Sequence, residues 1–215
     1  MIATALRFLF FATFIRPFVY VILGLRVRNR ERLPTKGPAI IAANHNSHMD
    51  TMVLMTLFPL KKLPIVRPVA AADYWLANRW IAWFANNIIG VVPIERKREN
   101  PDDDPLEPCD DALEKGQIII FFPEGSRGEP EKMSEVKGGI AKLAARHPDV
   151  PVVPIFLHGM GKVWPRGDFL IVPFTVDVIV GRALKGSTCS SQEFLRRYKT
   201  RIEKLAAQGN FTSWV

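Results

Sequence analysis

The stretch NHNSHMD, residues 44–50, concentrates side chains that can move protons. It follows PAIIAA (38–43), which reads as a buried strand, and runs into MDTMVLMTLF (49–58), which reads as a helix. His45 and Asp50 are spaced so that one continuous helix would not place them on the same face. Across a strand-to-helix turn, however, Asp50 in the first helical turn can curl back to the imidazole. A carboxylate bonded to one ring nitrogen fixes the tautomer and makes the other nitrogen more basic, as removal of a hydroxyl proton requires. A second reading is open. SHMD has the character of a capping box, with Ser47 as N-cap; Asp50 would then cap a helix and His45 satisfy a core hydrogen bond. His48 is expected at the periphery. No metal site is expected: the residue types suit zinc, but no further ligand lies nearby in the sequence.

FPEGSRG (122–128) follows another apolar run. Pro123 ends a strand, and Gly125 permits a tight turn with exposed amides. Arg127 offers a planar fork for a phosphate. Glu124 is placed to orient Arg127 or a substrate hydroxyl. The alternative is a surface turn with an ion pair. Lys137, beside Gly138 and Gly139, is a further cation, or else an exposed helical lysine. No G-x-S-x-G nucleophile elbow occurs, so direct attack by a substrate hydroxyl is expected rather than a covalent acyl-enzyme.

These groups need strands and helices to carry them. Strands are expected over 38–43, 63–71, 90–94, 117–123, 150–159 and 169–181. Helices are expected over 49–58, 73–88, up to Gly116, 133–147 and 191–208. Short apolar runs alternating with helical patterns predict an α/β fold, a layered mixed sheet flanked by helices. The polar clusters NHNSHMD, PIERKR (93–98), FPEGSRG and HGMGK (158–162) each follow an apolar strand. Loops at the carboxyl ends of strands build the site in such folds.

The chain of 215 residues fits one domain with an appended segment. A net charge of +8 suits an anionic partner. The basic residues lie among apolar runs rather than in a polar groove with stacking aromatics, which speaks against nucleic acid. Cys109 and Cys189 form neither a disulfide framework nor a zinc motif. The first 30 residues carry five arginines and no acid. Their two apolar runs, Phe8–Ile15 and Phe18–Leu25, are separated by Arg16-Pro17. The favoured expectation is a helical hairpin lying in the membrane interface, with its arginines reaching lipid phosphates; a hairpin packed into a soluble core and a single tilted transmembrane helix are the alternatives. The predicted organisation is therefore a membrane-associating segment over 1–30 and a catalytic domain over 31–215.

Taken together, the motifs resemble the glycerolipid acyltransferase family, whose best-known branch acylates lysophosphatidic acid. The resemblance covers roughly residues 35–180. H-x-x-x-x-D is matched by His45 and Asp50. GVVPIER resembles the second motif and brings in Arg96. F-P-E-G-[ST]-R is matched by Phe122, Pro123, Glu124, Gly125, Ser126 and Arg127. VVPIFLHG, centred on Pro154, resembles the fourth.

The resemblance implies that His45 is the general base and Asp50 its orienter. It implies that Glu124, Gly125, Ser126 and Arg127 bind the glycerol phosphate, assisted by Arg96. It further implies an acyl donor that is a coenzyme A or acyl carrier protein thioester, no cofactor, and work at the cytoplasmic face of the cell membrane in phospholipid biosynthesis. One departure stands out. Many members carry lysine where this chain has Ala71 and Ala72, and Arg67 is the nearest cation. A different lysolipid acceptor is therefore an open alternative, as is an ester hydrolase using the same His–Asp pair.

Overall fold

The computed structural model describes residues 2–47, 49–72, 78–95, 103–128, 134–163, 174–209 and 211. Its centre is a seven-stranded sheet. The strands are β1 (Arg26–Arg28), β2 (Ala39–Ala43), β3 (Val66–Ala71), β4 (Val92–Ile94), β5 (Ile118–Phe121), β6 (Val152–His158) and β7 (Asp177–Val180). They lie in the order β1-β7-β6-β2-β5-β3-β4. All neighbours pair in parallel except β6 and β7, which are antiparallel. The sheet is thus mixed, as expected. Its central strands are apolar on both sides because helices cover both faces: every residue of β2 and β5 is buried.

One face carries α1 (Ile2–Ile22), α2 (Asp50–Thr56) and α3. The last runs through Arg79–Phe84 and continues in a wider turn, Ala85–Ile89. Phe11, Val19 and Leu23 pack there with Ile41, Leu54 and Ile120. The other face carries α4 (Glu107–Glu114), α5 (Gly139–Arg146) and α6 (Ser191–Gln208). Their apolar stripes, among them Leu113, Ile140, Phe194 and Tyr198, meet Ile40 and Ile119. Because side chains alternate across a strand, Ile40 and Ile41 serve opposite layers. Gly116 at φ +70° ends the turn after α4, as its position past a helix predicts.

The N-terminal segment departs from expectation. It is one helix rather than a hairpin. Pro17 lacks a backbone donor, but the chain takes wider turns on either side, Phe11–Ile15 and Phe18–Ile22, and continues. Three of its five arginines also turn inward, whereas Arg26 and Arg28 stay exposed. Arg7, only 6 % exposed, donates to the carbonyls of Ile88 (2.8 Å), Leu63 (3.1 Å) and Asn87 (3.2 Å). Arg16 donates to Phe58 and Arg30 to Leu57, while the Tyr20 hydroxyl donates to Thr56. Except for Leu63, which lies in the 3-10 turn Leu60–Ile65, these carbonyls lie at the carboxyl ends of α2 and α3, where backbone acceptors lack helical partners and a cation is favoured by the helix dipole. Gly90 (φ +79°) allows this closure, since a Cβ there would sit 2.3 Å from the Arg7 guanidinium. The helix therefore roofs the core, and β1, three residues beyond its end region, joins the sheet edge.

Smaller differences follow from local chemistry. The strand expected from residue 63 begins at Val66, after the 3-10 turn Leu60–Ile65 containing Pro64. The helix expected from residue 133 begins at Gly139, since Gly138 and Gly139 resist helix nucleation and residues 134–137 stay irregular. The first part of the helix expected over 73–88, with Trp75, and much of the strand expected over 169–181 lie outside the described residues.

Candidate functional site

Asn44 closes the end of β2. Its Nδ2 donates to the Leu157 carbonyl (2.9 Å), and its Oδ1 accepts from the Leu157 N–H (2.7 Å). This side chain extends the β2–β6 ladder by one rung, so the next residue, His45, leaves the sheet from a fixed point. Sequence reading passed over Asn44; a buried-strand end followed at once by an amide side chain was the available signal.

His45 Nδ1 lies 2.8 Å from Asp50 Oδ2. The same oxygen accepts the N–H groups of Asn46 (2.7 Å) and Ser47 (2.9 Å). Ser47 Oγ accepts from the Met49 N–H (3.3 Å). The two readings of SHMD are thus compatible: Asp50 organises the helix start and holds the imidazole with one oxygen. Asp50 is fully buried, whereas the His45 side chain keeps 19 % exposure. The ring stacks on Phe122, with centroids 4.0 Å apart at 20°. With Nδ1 on the carboxylate and one ring face on Phe122, Nε2 is the nitrogen left to meet a ligand.

Glu124 sits where two loops meet. Oε1 accepts the His45 N–H (2.8 Å), and Oε2 accepts the Ser134 N–H (2.7 Å). It is 3 % exposed. Burial raises its carboxyl above the usual range, and the two backbone donors only partly offset this. Both oxygens are therefore committed to backbone. Glu124 thus holds the two loops together through the N–H groups of His45 and Ser134. The Gly128 N–H donates to the His45 carbonyl (3.1 Å), tying the loops a second time.

Gly125 adopts φ +70°, and a Cβ there would lie 3.1 Å from Lys137 Nζ. Lys137 is itself anchored through its N–H to the Pro123 carbonyl (2.9 Å). His45, Gly125, Ser126, Arg127 and Lys137 all line one cavity of about 550 Å³. Lys142 of α5, a residue the sequence did not single out, lines it as well. The remaining wall is largely apolar and includes Met52, Ile89, Val91, Ile94, Leu106, Phe121 and Phe122. An imidazole and three cations thus share a largely apolar chamber with two carboxylates, Glu95 and Asp104, an arrangement that suits a ligand bearing both a phosphate and a hydrocarbon chain.

Arg67 does not line this cavity, although its strand neighbours Pro68, Val69, Ala70 and Ala71 do. Its Nε is buried without a hydrogen-bond partner, and burial lowers its pKa. His48 and Arg96 lie outside the described residues.

Comparison with known proteins places the chain in a family. Residues 24–158 match the family described as Acyltransferase. The chain is 32 % identical over 176 residues to a chloroplast 1-acyl-sn-glycerol-3-phosphate acyltransferase of Arabidopsis thaliana, covering 79 % of this chain and 46 % of that one. It is 28 % identical over 169 residues to a 1-acyl-sn-glycerol-3-phosphate acyltransferase of Pseudomonas aeruginosa, covering 76 % and 61 %. The chain thus spans about half the length of the curated relatives it matches. The crystal structure of the 1-acyl-sn-glycerophosphate acyltransferase PlsC from Thermotoga maritima superposes with a TM-score of 0.76 at 21 % identity, covering 98 % of this chain and 81 % of that one. That likeness is one of fold.

Proposed function

The chain belongs to the acyltransferase family, and on that premise we propose that it is a membrane-surface O-acyltransferase. It moves a fatty acyl group from a coenzyme A or acyl carrier protein thioester to the hydroxyl of a lysophospholipid, with lysophosphatidic acid the leading acceptor. The observation that carries the reading is the 2.8 Å contact between His45 and Asp50 at the rim of a cavity shared with Arg127, Lys137 and Lys142.

In this reaction His45 Nε2 takes the proton of the acceptor hydroxyl as its oxygen attacks the thioester carbonyl. Asp50 supports the positive charge that forms on the ring. The tetrahedral intermediate collapses, an ester C–O bond replaces the C–S bond, and the imidazolium returns its proton to the departing thiolate. Arg127 and the lysines hold the acceptor phosphate, so that the hydroxyl is presented in reacting geometry. No bound cofactor takes part.

The membrane reading rests on exposed apolar side chains. Phe8, Leu9, Phe14, Val21 and Ile22 of α1 are at least half exposed, and Trp80, Ile81 and Trp83 of α3 lie uncovered too. Alone among the described helices, α1 is long and apolar enough to cross a membrane. Because its arginines bind the domain rather than lipid, burial of this apolar face in the interface is what would hold the enzyme to a cytoplasmic membrane surface.

The test is a mass-spectrometric screen of the purified protein with one acyl thioester and a mixed panel of lysolipids. The reading expects acylation of phosphate-bearing lysolipids, lysophosphatidic acid foremost. Release of free fatty acid with no acylated lipid would replace it with a hydrolase.

A further inference from the structure

A second concave surface lies far from His45. It is a groove of about 680 Å³ between α6 and the β1–β7 edge. Its place follows from the topology. Leu184 bridges to Val152 at the start of β6, and Arg182 follows β7, which runs antiparallel to β6. The groove is therefore at the opposite end of the parallel strands from the loops that carry the site.

Its walls are cationic. Arg196, Arg197, Arg201 and Lys204 come from α6; Arg182 and Arg32 come from the sheet edge. No carboxylate lines it among the described residues. Glu193 does engage Arg196 and Arg197 at one end, at 2.7–2.9 Å. Arg182, Arg201 and Lys204, however, have no acidic partner among the described residues, and Arg32 is held in place by donating to the Val180 carbonyl (3.1 Å). The floor is apolar, with Leu184 and Leu205.

We propose that this groove docks an acidic protein segment, one presenting carboxylates at helical spacing beside an apolar anchor. Arg197, Arg201 and Lys204 recur along α6 at spacings of four and three residues, a ladder about 10 Å long, with Arg196 beside its first rung. A small phosphate compound would need donors converging on one point instead. Nucleic acid would want aromatic platforms, and among the described residues no aromatic one lines the groove. Lipid is disfavoured by placement. Among the described residues, every exposed large apolar one except Phe174 is on α1 or α3, whereas α6 packs on the other face of the sheet. This last point rests on the membrane reading above; the others do not.

The probe is a fluorescent amphipathic peptide with glutamates four residues apart and a single leucine face. Wild-type protein should bind it, with affinity falling as salt screens the charges. Arg182→Glu, Arg201→Glu and Lys204→Glu together should weaken binding at least about tenfold and leave vesicle binding unchanged. The corresponding triple glutamine variant, which adds no repulsion, should fall between and carries the test if the reversal lowers thermal stability. Equal peptide affinity in wild type and variants would overturn the proposal. So would equal binding of a scrambled peptide of the same charge, tighter groove-dependent binding of duplex DNA, or loss of vesicle binding in the groove variants. Failure of wild-type protein to bind vesicles, with the peptide results intact, would remove the membrane reading and leave the groove assignment standing.

Discussion

The main-chain N–H of His45 donates to Glu124 Oε1 at 2.8 Å, although 79 residues separate them. The loop that carries the base and the loop that carries Arg127 are therefore one structural unit. On the proposed reading, this tie sets the offset between the loop that holds the acceptor phosphate and the loop that carries His45. In a reaction that depends on presenting a hydroxyl to a base, this fixed offset supplies the alignment.

Glu124 should reveal its buried position through pH. The folded state holds its proton to a higher pH than the unfolded chain, whose ordinary value is 4.5. Above that value the folded state binds more protons, so this contribution to stability falls as pH rises towards the raised pKa. Below it both states are protonated and no difference remains. Glu124→Gln lacks the titration and can satisfy only one of the two N–H donors, at a cost of about 1–3 kcal/mol. Urea unfolding should show a less stable variant whose deficit narrows as pH rises through that window. A deficit that widens would mean the carboxyl is not held above its usual range.

Arg127→Lys keeps the charge and loses the planar fork. The apparent KM for the lysolipid should rise, with little change in KM for the thioester. A defect confined to the thioester would move Arg127 to the donor side of the cavity.

The exposed face of α1 and α3 can be altered without touching the core. Phe14, Val21 and Trp80 are 65 %, 76 % and 71 % exposed. Replacing all three with serine should leave the melting temperature nearly unchanged. Vesicle co-sedimentation should fall at least about tenfold, given roughly 1.5–3 kcal/mol for each large apolar side chain fully buried. Turnover of a short, water-soluble lysolipid should persist while that of a bilayer-resident one drops. Equal loss on both would show that this face helps build the active site. The substitutions are a cleaner probe than truncation, because Phe11, Val19 and Leu23 of the same segment are fully buried in the core.

What could be read in advance was local. Apolar runs such as PAIIAA and QIIIFF announce central strands because both of their faces are covered, and the polar clusters at their ends announce the site. α6 was legible to the residue, since Ser190 caps it by accepting the Glu193 N–H. What could not be read depends on distant partners. Arg7 looked like a lipid contact because its true partners, the carbonyls of Asn87 and Ile88, lie some 80 residues away. That the N–H groups of His45 and Ser134 occupy both oxygens of Glu124 is likewise invisible along the chain. Lys142 was invisible as a site residue because only the packing of α5 beside the FPEGSRG turn brings it to the cavity.

The central claim is that His45 is the base. Its side chain is partly exposed and its ring nitrogen serves Asp50 alone among described carboxylates, so His45→Ala should fold with a near-normal melting temperature. The decisive measurement is the single-turnover rate of acyl transfer from a thioester to lysophosphatidic acid by that folded variant. The account predicts a fall of roughly 10²–10⁴-fold, the usual scale of general-base catalysis, with binding of the lysolipid largely retained. A rate within a few-fold of wild type would contradict it.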